Sequence, residues 1–145
     1  MAAACDYGRA TMTGIGALFA GRPPWANALL VFTAFMTFVY TPWDIFVKPV
    51  AEDQEVWFGL LLTGWAAKAT APLHWAIYGA FTWGLWKMRP WMRLWGTVYI
   101  AQIAIGMLVW NLIDERGSLV GGIASGAVFA WLTHAYWRAG RVFER

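Results

Sequence analysis

The chain has 145 residues, 60% of them hydrophobic, 13% charged and 18% aromatic, with a formal net charge of +3. The apolar share exceeds the ~45–50% of soluble chains, and the length suits one domain without linker or repeat. So little polar sequence excludes a basic nucleic-acid-binding face, and a single cysteine, Cys5, excludes an internal disulfide.

Residues 1–24 carry Asp6, Arg9 and Arg22, and these charges interrupt any signal-peptide pattern. The segment reads as a cytoplasmic lead-in, ended by Pro23 and Pro24, which break any earlier helix and open the first span. Four stretches then lack Asp, Glu, Lys and Arg: 25–43, 69–86, 94–113 and 117–137. Each approaches or reaches the ~20 residues that a helix needs to cross ~30 Å of hydrocarbon. A further apolar run at 56–67 is too short to cross.

The gaps between these stretches alternate in charge. Lys87, Arg89 and Arg93 fill one gap without an acid, and the tail carries Arg138, Arg141, Glu144 and Arg145. By contrast, Asp44, Lys48, Glu52, Asp53, Glu55 and Lys68 fill the first gap, and Asp114, Glu115 and Arg116 the last. The positive-inside rule therefore places both termini and the 87–93 loop in the cytoplasm, in keeping with a bacterial inner membrane. The 44–68 and 114–116 gaps fall outside. Many of the 12 tryptophans sit at span ends, where indole anchors at the headgroup level.

In the outer gap, Glu52, Asp53 and Glu55 precede an apolar run, as acids do in a first helical turn. The pattern predicts an interfacial helix over 53–68. The fold class is thus all-α, an integral membrane four-helix bundle with an additional outer interfacial helix.

Polar groups converge toward that outer face. Asp44 ends the first span, Lys68 ends the interfacial helix, and His74 lies a turn into the second span after Pro72. Gln102 stands in mid-span, and Asn111 near the outer end of the third. Ionisable groups at such depth point to function. The bland reading pairs Asp44 with Lys48 or Lys68, and bonds His74 to a neighbouring carbonyl. His134, near Arg138, reads as interfacial. Gly122 and Gly126 let a helix approach closely, either another span of this chain or a second subunit of a homo-oligomer or larger complex. No Ser-His-Asp pattern, phosphate loop, redox cysteine pair or paired His/Cys spacing occurs, so no metal or cofactor is expected.

Thr41-Pro42-Trp43-Asp44, Val56-Trp57 and Pro72-Leu73 resemble the membrane lycopene cyclases of the heterodimeric and fungal type. The resemblance covers about a third of the chain. Those proteins have two glutamates after Pro-Leu, where this chain has His74-Trp75. The resemblance implies a related fold and an apolar ligand rather than the reaction. The functional expectation is a pocket for an apolar or isoprenoid-like lipid, lined by Trp43, Asp44, Trp57, Lys68, His74, Gln102 and Asn111. If the pocket is catalytic, Asp44 and His74 are its acid/base pair, in isomerase- or cyclase-like chemistry. The alternative is a non-catalytic accessory subunit of a larger membrane complex.

Overall fold

The computed structural model describes residues 19–144. Most of the expected 1–24 lead-in, with Cys5, lies outside them. Among the described residues, three helical stretches are long and apolar enough to cross a membrane: Pro24–Phe46, Trp91–Ile113 and Leu119–Glu144.

The first stretch is built from α1 (Pro24–Phe35), a π-helical turn (Met36–Tyr40) and α2 (Thr41–Phe46). Pro42 explains the wide turn, because it has no N–H and its ring displaces the carbonyl one turn earlier. The Thr41 N–H reaches back to the Met36 carbonyl instead, which leaves the Thr37 carbonyl without its helical donor. The Trp75 indole N–H fills that vacancy at 2.8 Å.

Where the sequence predicts an interfacial helix over 53–68, the chain forms an antiparallel hairpin, β1 (Gln54–Trp57) and β2 (Leu60–Thr63). Phe58 and Gly59 turn the corner with φ of 50° and 89°, the left-handed pair that matches strand twist in a two-residue loop. Gly64 follows at φ 58° and ψ −128°, a conformation that glycine adopts readily. It ends the hairpin and opens α3 (Trp65–Trp86) several residues before the expected start of the second span. The expected all-α class is corrected to a mostly helical chain with one small sheet.

After the 87–90 turn, α4 (Trp91–Ile113) returns and α5 (Leu119–Ala139) follows, ending in a short 3-10 turn (Gly140–Glu144). Ser118 caps α5 by accepting the Gly121 N–H at 3.0 Å. The α1–α2 stretch packs on α3, and α4 packs along α5. Leu85, Met92, Tyr136 and Phe143 form a buried cluster that joins the two pairs at one end. Tyr99 donates to the Tyr78 hydroxyl at 3.1 Å and joins them midway. The hairpin tip joins them at the other end. A Cβ on Gly59 would sit 2.5 Å from Val109, and one on Gly106 3.3 Å from the Gly59 nitrogen.

The two ends differ in charge. Arg22, Lys87, Arg89, Arg93, Arg138 and Arg141 lie at the clustered end, with Glu144 as its acid among the described residues. Asp44, Lys48, Glu52, Asp53, Glu55, Lys68, Asp114, Glu115 and Arg116 lie at the hairpin end. Between them the outer surface is apolar: Phe38 is 72% exposed and Val120 79%.

Candidate functional site

At the hairpin end, a cavity of about 170 Å³ lies between the first stretch, the hairpin and α3. Its lining mixes apolar walls (Met36, Val56) with Tyr40, Thr41, Asp44, Glu55, His74 and Tyr78. Asp44 and His74 therefore line one cavity, without touching each other directly.

The acid that meets His74 is Glu55, whose Oε2 lies 2.8 Å from Nδ1. Thr70 Oγ1 and Trp57 Nε1 donate to the same oxygen at 2.8 and 3.1 Å. Burial opposes ionisation of Glu55. The hydrogen bonds from His74 and Thr70 outweigh it and hold the carboxyl below its ordinary range. Trp57 also stacks on the imidazole, with centroids 4.2 Å apart and planes 14° apart. Glu55 and Trp57 stand two residues apart on β1, so the pleat sends both to one face. With Nδ1–H given to Glu55, a neutral imidazole keeps a lone pair on Nε2, which makes no hydrogen bond among the described residues.

Asp44, only 2% exposed, belongs to a second cluster. Lys48 Nζ lies 3.0 Å from Asp44 and 2.8 Å from Asp53, which is fully buried. Lys68 Nζ lies 3.5 Å from the other Asp53 oxygen and donates to the Asp44 and Lys48 carbonyls. Burial works against charge at Asp53 and Lys48, yet their mutual bonds win. Asp53 is held below its ordinary value and Lys48 above its own. Two acids and two amines thus neutralise each other and tie the 47–53 loop to α3. This matches the pairing that the sequence offered as the plainer reading of Asp44.

The remaining expected residues disperse. Trp43 is 47% exposed and leans on Tyr40, outside the cavity wall. Lys68 serves the ion cluster. Gln102 lies near the hairpin tip, its Nε2 3.8 Å from a Cβ built on Gly106. Asn111 donates to the Met107 carbonyl and accepts from Ser118 N–H, so it fastens the α4–α5 turn. His134 is exposed. Gly122 and Gly126 pack on Asn111, Leu108 and Ala104 of α4, so their face is covered within the chain. Glu55 is absent from the expected set because it sits among acids that read as a helix start. The pointers to it were Gly59 and Gly64, framing short runs of strand-forming residues.

No family profile, no curated protein and no solved structure matches this chain.

Proposed function

We propose that this chain is a four-span membrane protein whose hairpin-end cavity receives the end of an apolar, isoprenoid-like lipid. The charge difference between its ends supports placing both termini in the cytoplasm and the cavity at the outer face. The observation that carries the functional reading is the Glu55–His74 pair, stacked on Trp57 and set in a partly apolar cavity. A cavity of about 170 Å³ is close to the ~150 Å³ that holds a benzene ring, so one ring or terminal branched unit fits while the remaining chain lies in lipid. The imidazolium of His74, held by Glu55 at Nδ1, would give its Nε2 proton to one end of a double bond, and the neutral imidazole would then take a proton from the allylic carbon at the other side of the cation. Such a shift is an isomerisation, balanced in protons and electrons. Asp44 stands on the same wall, engaged by Lys48, and would favour positive charge developing on the ligand.

A second reading, a non-catalytic accessory subunit of a larger membrane complex, draws on that same engagement of Asp44 and on exposed aromatics such as Trp131, 66% exposed. The covered Gly122–Gly126 face speaks for the pocket instead. Mass spectrometry of lipids retained after mild purification separates the two. The wild type should retain a defined apolar lipid, and Val56→Trp, which fills the cavity, should lose it. Identical lipid profiles in the two proteins, with a stoichiometric protein partner present, would favour the subunit.

A further inference from the structure

The basic end holds a second cavity, of about 230 Å³, lined by Phe19, Arg22, Leu30, Thr82 and Trp86. Its walls are apolar except for Thr82 and the guanidinium. Arg22 is held in place from two sides. Its Nε donates to Asn27 Oδ1 at 2.9 Å, and one terminal nitrogen donates to the Trp86 carbonyl at 3.0 Å. The other terminal nitrogen is buried without a hydrogen-bond partner among the described residues. Buried charged donors left unmade are costly and call for an acceptor.

No carboxylate among the described residues supplies one. Among the described residues, Arg22, Lys87 and Arg89 make no ion pair, and Glu144 is taken by Arg93. Lys87 and Arg89 instead lie over the rings of Trp86 and Trp83, at 4.8 and 4.7 Å. Unneutralised cations thus gather around an apolar slot at the end of the helices, where tryptophan marks the headgroup level.

We propose that this cavity binds an anionic phospholipid, with the phosphate on Arg22 and an acyl chain between Leu30 and Trp86. Charge complementarity selects the anion, and the apolar walls select a lipid over a free ion. The site is separate from the hairpin-end cavity and does not depend on it.

The test is native mass spectrometry of the full chain in neutral detergent, with phosphatidylglycerol and phosphatidylcholine of matched chains in competition. Each nearby cation should favour the anionic lipid roughly fivefold. The wild type should therefore retain phosphatidylglycerol preferentially, and Arg22→Gln should lose about fivefold of that preference. Leu30→Trp leaves the guanidinium in place but fills the slot, and should also lose retention. Equal retention of both lipids by the wild type overturns the proposal without recourse to any variant. Inorganic phosphate raising the melting temperature as much as phosphatidylglycerol would make this an ion site and overturn the lipid.

Discussion

Lys48 shows how much one side chain holds at the residue scale. Its ammonium neutralises two carboxylates, of which Asp44 is 2% exposed and Asp53 is fully buried. Removing a central partner from a buried ion cluster leaves charge uncompensated, at a cost of about 3–5 kcal/mol. Lys68, on Asp53 from 3.5 Å, offsets part of this. Lys48→Met should therefore destabilise the protein by about 2–4 kcal/mol, and Lys48→Met with Asp53→Asn should recover much of the loss. Thermal unfolding in detergent measures both. A fall below about 0.5 kcal/mol for the single variant would mean the cluster is worth no more than a surface pair. The Glu55–His74 contact differs in kind, since Thr70 and Trp57 also serve the carboxylate and one imidazole nitrogen makes no hydrogen bond among the described residues.

At the scale of elements, the hairpin is the decisive one. Its tip enters between helices only because Gly59 has no side chain. A Cβ there would meet Val109 at 2.5 Å and the Trp110 backbone nitrogen at 2.8 Å, and φ is 89°. Both strain and overlap oppose any substitution. Gly59→Ala should cost about 2–3 kcal/mol, and because the hairpin carries Glu55 and Trp57, it should also reduce lipid retention. Gly21→Ala, at an exposed position also with positive φ but with no described residue within 4 Å of the added Cβ, is the control for a glycine change without a close neighbour. Equal stability of the two variants would show that the tip does not depend on this close approach. The π-helical turn is a second local device. Pro42 opens it, and the Thr37 carbonyl it releases becomes the anchor for Trp75. It thereby draws α3 against the first stretch beside His74.

For the whole molecule, segregation of charge is the governing feature. The ends differ in sign, the middle is apolar, and the hairpin closes one end while the Leu85–Met92–Tyr136–Phe143 cluster closes the other. Positive charge resists transfer across the membrane, so the end with Arg22, Lys87, Arg89 and Arg93 should stay in the cytoplasm. In a Cys5→Ser background, Glu52→Cys places a thiol on the exposed 3-10 turn before the hairpin. An impermeant thiol reagent should label it on intact cells. Labelling that requires permeabilised cells would invert the orientation.

The long apolar stretches and the alternation of charge between them were legible without coordinates, because hydration of charged groups is so costly to lose that composition along the chain constrains which segments can enter hydrocarbon. Three of the four expected spans overlap stretches long and apolar enough to cross, Pro24–Phe46, Trp91–Ile113 and Leu119–Glu144. Segment 53–68 was not legible, since Leu60, Leu61 and Leu62 after a run of acids satisfy a helical pattern as well as a strand. Contact with α4 decided for the hairpin: a glycine tip fits against Gly106 and Val109, and strand pairing satisfies the backbone there. The site followed from that choice. His74 was visible as a lone polar group in an apolar span, but its partner depended on which residues of β1 share a face. Only the folded chain brings Glu55, rather than Asp44, against the imidazole, because a pairing between separate elements is set by the register and packing of both.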